Sequence, residues 1–393
     1  MKKVFATMIV ADFIIILIIT KLLFNSTMLL FILPLMTIVA CFAFRTYDIE
    51  QLDDVNSQII RNFIASFLSI LITYVFFEIS KVTIDEVILY SLLSSIALSF
   101  FHYFYFPKIR RFLKRKVYYL PEYEYYKLKP ILDEIHERSL GSIVFTTDPF
   151  NHNSVLIIYE DMKSPEGENT VFLPDLAEKY LNRIPIEILR RFPQYYEIIF
   201  QSVKESPAKR VLDVFASIIG IIAFSPIMGI IALAILVEDG FPIVFKQERI
   251  GKSEKSFILY KFRSLDKREK NPGYDAQDRV LFIGKIIRKL RLDELLQFIN
   301  VLKGDMSVVG PRPEMRIFHE KMKNSIPFYR YRLKRKPGIT GWAQINYKHT
   351  TTYEDYLKKT EYDLWYIKNR NIFIDLRIIL QTLETMIGMR GAK

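Results

Sequence analysis

The chain has 393 residues, of which 50% are hydrophobic, and a formal net charge of +12 at pH 7. This length allows two or three domains, and the hydrophobic share is high for a soluble protein, so we expect membrane segments. The single cysteine, Cys41, lies in an apolar run, which excludes a disulfide framework and a cysteine-based metal site.

Four apolar segments near the amino terminus have close to the length that crosses a bilayer. They are Val4–Phe24, Thr27–Phe44, Ile60–Ile79 and Val87–Phe106. Their basic flanking residues cluster on one side, so the positive-inside rule predicts that both ends of this four-helix region, residues 1–107, lie in the cytoplasm. Asp12, inside the first segment, is a buried functional group, a polar contact to a neighbouring helix or a residue near the membrane interface.

Residues 108–205 have the composition of a soluble module. Strands are predicted at residues 117–120, 141–146 and 154–159, with a helix at 122–138. A nucleotide-binding Rossmann unit needs a glycine-rich turn after its first strand, but the chain has Pro121-Glu122-Tyr123-Glu124 there, and its acids would repel phosphate. We therefore predict a small α/β module with a structural or regulatory role.

A long apolar stretch follows, from Val211 to Val237. As a straight helix it would measure roughly 40 Å, enough to cross a bilayer. Both of its flanks are basic, however, and both favour the cytoplasm. Ser225 and Pro226 lie at its midpoint, where proline removes a helical hydrogen bond. The pattern favours a re-entrant helix, about residues 209–238, that breaks at Ser225-Pro226; a plain fifth span is the alternative.

Residues 242–264 predict short strands or a hairpin around Gly251. Lys261 and Arg263 lie two positions apart, so on a strand both side chains point the same way, towards one anion. The alternative is an ordinary solvated basic face. Further along, residues 329–336 interleave basic and aromatic side chains, which favours a membrane-surface helix over nucleic-acid binding.

Residues 284–313 combine arginines, adjacent carboxylates and a stiff turn. A basic helical pattern that includes Arg288 precedes Asp293 and Glu294, and the stretch ends in Pro311-Arg312-Pro313. Acids can serve as nucleophiles or hold a divalent metal, and guanidinium groups clamp phosphate oxygens, so the combination suits phosphoryl chemistry. Taken alone, the Asp-Glu pair is more typical of an amphipathic surface helix.

The arrangement as a whole closely resembles the bacterial polyprenyl-phosphate sugar-1-phosphate transferases. The resemblance covers about half the chain, from Lys209 to the carboxyl terminus, and its matching motifs include Leu292-Asp293-Glu294, Asn300-Val301-Leu302, Gly304-Asp305-Met306-Ser307, Val309 to Pro313 and Pro337 to Asn346. It implies a membrane α+β protein with four transmembrane helices, a small degenerate Rossmann-like module and a mainly helical catalytic domain, residues 206–393, anchored by a re-entrant membrane helix.

The same resemblance implies transfer of a sugar 1-phosphate from a nucleotide sugar, with UDP the usual carrier, to undecaprenyl phosphate at the cytoplasmic face of the bacterial inner membrane. This is the first membrane step of surface polysaccharide or glycoconjugate synthesis. Asp293 would attack the sugar-proximal phosphate and form an aspartyl phospho-sugar. Glu294, together with Asp293, would hold Mg²⁺. Phosphates would be bound by Arg288, Arg312, Lys261 and Arg263, with Pro311 and Pro313 limiting the backbone freedom around Arg312.

Two other classes of function stay open at this point. One is a catalytically silent membrane scaffold of a polysaccharide assembly complex, against which the intact acidic and arginine residues argue. The other is a transporter or flippase, against which the four predicted spans and the basic cytoplasmic half argue. No part of the sequence selects the sugar, a homodimer through the spans and the α/β module is one option, and no nucleic-acid partner is expected.

Overall fold

The computed structural model describes residues 2–24, 26–43, 46–47, 55–77, 82–112, 116–139, 141–148, 154–158, 170–266, 280–347 and 352–386. Across these residues the chain is mostly helical, with three small sheets. It divides into two compact units, one made of residues 1–157 and 166–171 and the other of residues 158–165 and 172–393. The second unit contains the whole acidic and arginine-rich stretch.

The first unit begins with four predominantly apolar helices: α1 (Lys2–Leu23), α2 (Thr27–Ala43), α3 (Val55–Phe77) and α4 (Ile84–Phe112). By length and composition, α1 and α4 could each cross a membrane, and so could one helix of the second unit. Helices α2 and α3 contain shorter apolar stretches. Each of the four predicted segments therefore forms a helix over nearly all of its described residues, while Phe44, Glu78 and Ile79 lie outside them. The crossing of the bilayer by each segment stays a prediction.

Polar side chains connect these helices inside the bundle. The Thr37 hydroxyl hydrogen-bonds those of Ser69 at 2.7 Å and Tyr90 at 2.8 Å, which links α2, α3 and α4. His102 Nε2 on α4 lies 2.9 Å from a carboxylate oxygen of Asp12 on α1, and both side chains are fully buried. Because lipid offers no hydrogen-bond partners, such contacts help to hold membrane helices together. Asp12 thus makes a polar contact to a neighbouring helix.

A small sheet with one helix completes the first unit. Its elements are β1 (Lys116–Tyr119), α5 (Glu122–Arg138), β2 (Ile143–Thr146), β3 (Ser154–Ile158) and β4 (Thr170–Phe172). The strand order is β2-β1-β3-β4, and β1 runs parallel to both β2 and β3. The predicted helix and three strands are present within a residue or two, whereas β4, only three residues long, was not predicted.

The second unit is mainly helical. Its elements are α6 (Leu173–Leu181), α7 (Ile186–Arg191), α8 (Pro193–Ser202), α9 (Pro207–Asp239), β5 (Val244–Ile250), β6 (Ser256–Phe262), α10 (Phe282–Lys289), α11 (Gln297–Lys303), β7 (Ser307–Val309), α12 (Arg316–Ser325), β8 (Gly338–Thr340), α13 (Trp342–Asn346), α14 (Tyr353–Asn369) and α15 (Ile372–Met386). Strands β5 and β6 are antiparallel, and the amide of Gly251 donates to the carbonyl of Lys255 at 2.8 Å between them. The predicted hairpin around Gly251 is present.

The membrane-surface helix expected at residues 329–336 is wrong. Residues 329–334 form 3-10 turns, and Tyr329, Tyr331, Arg332 and Leu333 are buried. Burial of the arginine is possible because its guanidinium makes two hydrogen bonds to Asp363, at 2.7 and 3.0 Å. Tyr329, Tyr331 and Arg332 thus belong to the interior of the second unit, whereas Arg330 is exposed.

Helix α9 runs for 33 residues with Pro226 inside it, so helical structure continues on both sides of Ser225-Pro226, and the re-entrant turn expected there stays a prediction. Pro226 has no amide hydrogen to donate to the carbonyl of Ile222, four residues earlier. The Ser225 hydroxyl donates to that carbonyl instead, at 2.8 Å. This substitution of donors satisfies the carbonyl and lets the helix continue past the proline.

One face of α9 packs, along its whole length, against the other elements of the second unit. Buried residues recur every three or four positions at Asp213, Ser217, Gly220, Ile231 and Ile235, with Phe224 and Met228 partly buried between them. The opposite face is apolar and more than half exposed at Val211, Phe215, Ile219, Ile222, Ile230, Leu233 and Val237. The helix therefore has one protein-facing side and one side suited to lipid.

The core beneath α9 supports the acidic stretch. Ile231 and Ile235 pack in a cluster with residues of the hairpin, of α10 and of the segments directly before and after α10, namely Phe262, Leu281, Ile287, Leu295 and Leu296. The two leucines come directly after Asp293-Glu294, so burial of Leu295 and Leu296 fixes the carboxylates at the edge of this core.

Candidate active site

Asp293 and Glu294 lie in a short 3-10 turn, Leu292–Glu294, between α10 and α11. Arg291 precedes the turn with φ of 55°, a left-handed backbone conformation that redirects the chain after α10. The stretch is therefore a turn between two helices and not one continuous amphipathic helix. This geometry gives the two neighbouring carboxylates different surroundings.

Glu294 is held by two cationic side chains. Its Oε1 accepts a hydrogen bond from Lys261 Nζ at 2.7 Å and another from Arg312 Nη2 at 2.8 Å. Burial alone would raise the pKa of Glu294, but the charges of Arg312 and Lys261 outweigh it and hold that pKa well below its usual range. Glu294 is therefore a fixed negative charge that orients both cations.

Asp293 is half-buried and lines a cavity. Burial raises the pKa of its carboxyl group, the neighbouring Glu294 charge adds to the rise, and the Lys261 and Arg288 charges oppose it. A carboxylate with little hydration and nearby cations is suited to attack an anionic electrophile, because the cations lower the repulsion between the two. Asp293 thus combines access to a ligand with the chemistry of a nucleophile.

The cavity beside Asp293 has a volume of about 660 Å³, within the range of small-molecule sites. Its lining includes four cationic side chains: Arg249, Lys261, Arg263 and Arg288. The remaining lining residues are Pro242, Phe245, Gln247, Phe262, Ser264, Leu265, Asp266, Asp293, Glu314, Met315, Phe318 and Tyr356. A cavity with this charge balance suits a ligand that carries several negative charges.

The four basic residues predicted to bind phosphate differ in what they contact. Arg288 Nε donates to Ser264 Oγ at 2.8 Å, and within the described chain its two Nη groups make no hydrogen bond. Arg263 lines the cavity, but its donors engage the carboxyl end of α9, with bonds to the Asp239 carboxylate and the Gly240 carbonyl. Lys261 faces both Glu294 and the cavity, and Arg312 pairs with Glu294. Arg288 and Lys261 are best placed for a ligand.

The backbone around Arg312 is fixed at three consecutive carbonyls. The Pro311 carbonyl accepts from the Gly338 amide at 2.9 Å, and the Pro313 carbonyl accepts from Arg249 Nη1 at 3.3 Å. The carbonyl of Arg312 itself accepts from Arg332 Nη2 at 3.0 Å. Sequence reasoning missed Arg332, because its basic and aromatic neighbours were taken for a surface helix.

The described residues offer few side chains that could act as ligands of a metal ion. Over the residues that the structure describes, no group of three or more His, Cys, Asp and Glu side chains could hold a metal ion. Glu294 Oε1 already accepts from two cations, whereas its Oε2 has only a long contact of 3.5 Å from Arg312 Nη1. Mg²⁺ commonly takes one or two carboxylates and completes its shell with phosphate oxygens and water, so Asp293 and Glu294 Oε2 fit such an ion.

A half-buried carboxylate and four cations line one cavity, and a fixed acid lies next to that carboxylate, an arrangement suited to phosphoryl transfer. Comparison with known proteins agrees with this class. The sequence profile of the family described as bacterial sugar transferase matches residues 204–389. The uncharacterized sugar transferase EpsL of Bacillus subtilis (strain 168) is 39% identical over 189 residues, which cover 47% of this chain and 89% of EpsL. The protein belongs to the bacterial sugar transferase family, as the motifs indicated.

Two other relatives have names that state a reaction. One is the UDP-N-acetylgalactosamine-undecaprenyl-phosphate N-acetylgalactosaminephosphotransferase of Aeromonas hydrophila, 45% identical over 189 residues, 47% of this chain. The other is the UDP-glucose:undecaprenyl-phosphate glucose-1-phosphate transferase of Escherichia coli (strain K12), 39% identical over 181 residues, 44% of this chain. The matches span only 45% and 39% of the lengths of these two relatives.

Proposed function

We propose that the protein transfers a sugar 1-phosphate from a UDP-sugar to undecaprenyl phosphate. The observation that carries this proposal is Asp293, a half-buried carboxylate that lines a cavity together with Lys261 and Arg288. The relatives that are named for a reaction act on UDP-sugars and undecaprenyl phosphate, which supports the same pair of substrates here.

In the first step, a carboxylate oxygen of Asp293 attacks the phosphorus atom next to the sugar. A bond forms between this oxygen and phosphorus, while the bond from phosphorus to the bridging oxygen breaks and its electron pair leaves with UMP. Lys261 and Arg288 neutralise the phosphate oxygens, on which negative charge is concentrated. Glu294 keeps Lys261 and Arg312 oriented, so these cations need no rearrangement during the reaction.

In the second step, a phosphate oxygen of undecaprenyl phosphate attacks the same phosphorus atom. The bond between Asp293 and phosphorus breaks, the carboxylate is restored, and the product is an undecaprenyl diphosphate that carries the sugar. Mg²⁺, held by Asp293 and Glu294 Oε2 together with phosphate oxygens, would supply further charge neutralisation.

We further propose that α9 is a re-entrant helix whose two ends both lie at the cytoplasmic face of the inner membrane. At its amino end, Arg210 donates to the carbonyls of Val301 and Leu302, at 2.5 and 2.7 Å. At its carboxyl end, Glu238 accepts from the amides of Phe282 and Ile283, at 2.5 and 3.0 Å. Polar contacts to one unit at both ends, basic flanks and an apolar outer face support this orientation better than a plain span.

The experiment that tests the proposed activity is the release of UMP from a panel of UDP-sugars in the presence of Mg²⁺ and undecaprenyl phosphate. We expect one or a few sugars to be consumed, EDTA to stop the reaction, and Asp293→Asn to be inactive. Absence of UMP from every sugar would contradict the proposed activity and favour a scaffold. Full activity of Asp293→Asn would contradict only the nucleophile.

A further inference from the structure

The side chains that line the cavity beside Asp293 change in chemical character along strand β5. Phe245, Gln247 and Arg249 alternate along this strand, so their side chains share the face that lines the cavity. Phe245 pairs with Lys261, the cation next to the carboxylates. At the rise of an extended strand, Gln247 and Arg249 lie about 7 and 13 Å further along. The lining of the cavity therefore extends along β5 away from Lys261.

The far part of the cavity is aromatic. Met315 lies beside Gln247, with 3.1 Å between Met315 Sδ and Gln247 Nε2, and Phe318 follows one turn later on α12. The ring of Tyr356, on α14, stacks on that of Phe318 with 6.3 Å between centroids and 24° between planes. Both rings line the cavity. Aromatic faces of this kind bind planar heterocycles by stacking.

Two hydrogen-bond donors at this end lack a good acceptor. Gln247 Oε1 accepts from Arg249 Nη2 at 2.6 Å, and because arginine can only donate, this contact fixes the orientation of the amide. Gln247 Nε2 is then left with the thioether of Met315, which is a weak acceptor. Arg249 Nε is buried and has no hydrogen-bond partner in the described part of the chain. Buried donors are normally paired, so a ligand acceptor is expected here.

We propose that this aromatic end binds the nucleobase of the donor, with the ring stacked on Phe318 and Tyr356 and its carbonyl oxygens accepting from Gln247 and Arg249. The inference rests on the proposed function, because it assumes a nucleoside diphosphate whose phosphates lie at Lys261 and Arg288. Uracil presents a carbonyl acceptor where cytosine presents an amino donor, so two protein donors favour uracil. Gln247 and Arg249 are thus specificity-determining residues.

The test compares UMP, which has a base and a phosphate, with inorganic pyrophosphate, which has phosphates but no base. Both are measured in calorimetric titrations of the full chain in nanodiscs. In Phe318→Leu we expect the Kd for UMP to rise about 5- to 100-fold, the range for loss of one stacked base, with the Kd for pyrophosphate unchanged. Phe318→Tyr keeps a ring and should bind UMP as the wild type does. Ile317→Ala, at the 75% exposed neighbouring position, is the matched control and should change neither Kd.

A second variant tests the readout of the base. Gln247→Glu keeps an oxygen that accepts from Arg249 but loses the Nε2 donor, so we expect the preference for UMP over CMP to fall. An unchanged preference together with an unchanged UMP Kd in Phe318→Leu would overturn the inference and leave the proposed function intact. Equal losses of UMP and pyrophosphate in Phe318→Leu would also overturn it. A wild type that binds neither ligand would contradict both the inference and the proposed function.

Discussion

Asp293 and Glu294 are neighbours in the sequence but differ in electrostatic surroundings. Glu294 is paired with Lys261 and Arg312, which lower its pKa, whereas burial raises the pKa of Asp293. Carboxylates whose surroundings push their pKa values apart commonly have different tasks. We assign attack on phosphorus to Asp293 and orientation of the cations to Glu294.

This assignment predicts a shift in the pH dependence of activity for Glu294→Gln. Burial lowers the pKa of Lys261, and the Glu294 charge partly offsets that effect. Without this charge the pKa of Lys261 falls further, so Lys261 loses its proton, and the enzyme its activity, at a lower pH than in the wild type. We expect the alkaline limb of the pH–rate profile to move to lower pH, and activity near pH 8 to drop roughly 10- to 100-fold, as for loss of one charged hydrogen bond.

Glu320→Gln makes the same chemical change at an exposed position of α12 and is the control for this profile. Its alkaline limb should coincide with that of the wild type. If Glu294→Gln retained the wild-type alkaline limb, Lys261 would not depend on Glu294 and the division of tasks would be wrong.

The sequence identified the acidic and arginine residues of the site but not their contacts. Glu294 is 33 positions from Lys261 and 18 from Arg312, and no local pattern reveals which of two adjacent acids meets these cations. Arg332 was missed because its basic and aromatic neighbours predicted a surface helix, and its partner Asp363 lies 31 positions away, beyond any local pattern. Local residue types indicated the chemistry, and long-range packing decided the role of each side chain.

At the scale of elements, local patterns predicted the hairpin of β5 and β6 and the helical course of α9. The pattern around Gly251 contains both the turn and the flanking strands, so the hairpin was predictable. The re-entrant turn at Ser225-Pro226 stays a prediction, and the helix that crosses this position includes the proline. A serine directly before the proline provides the hydrogen bond that the proline cannot.

The pairing of Ser225 with Pro226 predicts non-additive effects on stability. Ser225→Ala should lower the free energy of unfolding by roughly 0.5–1.5 kcal/mol, the range for polar contacts of membrane helices. In a Pro226→Ala background the same change should cost nothing, because the amide of the new alanine donates to Ile222. Thermal or denaturant unfolding in nanodiscs, analysed as a double-mutant cycle, measures this coupling.

Ser217→Ala is the matched control on the same helix. The Ser217 hydroxyl is buried and has no hydrogen-bond partner within the described residues, so its removal should not depend on Pro226. An equal loss for Ser225→Ala in both backgrounds would contradict the proposed exchange of donors.

At the scale of the whole molecule, the proposal places both ends of α9 on the cytoplasmic side. Cys41 is the only cysteine and is buried, so Cys41→Ala gives a background for single reporter cysteines. Lys204→Cys and Lys246→Cys probe exposed positions on either side of α9. We expect a membrane-impermeant maleimide to label neither in intact spheroplasts and both after the membrane is opened.

Lys21→Cys serves as the control for labelling from outside, because the positive-inside rule predicts that the end of α1 faces away from the cytoplasm. It should react in intact spheroplasts. Labelling of Lys204→Cys or Lys246→Cys before the membrane is opened would show that α9 crosses the bilayer, and the re-entrant arrangement would then be wrong.

The central claim is that Asp293 forms a covalent intermediate before the lipid acceptor takes part. The most direct measurement is the exchange of radiolabelled UMP into a consumed UDP-sugar, with Mg²⁺ present and undecaprenyl phosphate absent. A two-step reaction through Asp293 predicts that label enters the UDP-sugar without acceptor and that Asp293→Asn abolishes this exchange. Exchange that appears only when undecaprenyl phosphate is added, or that persists in Asp293→Asn, would contradict the claim.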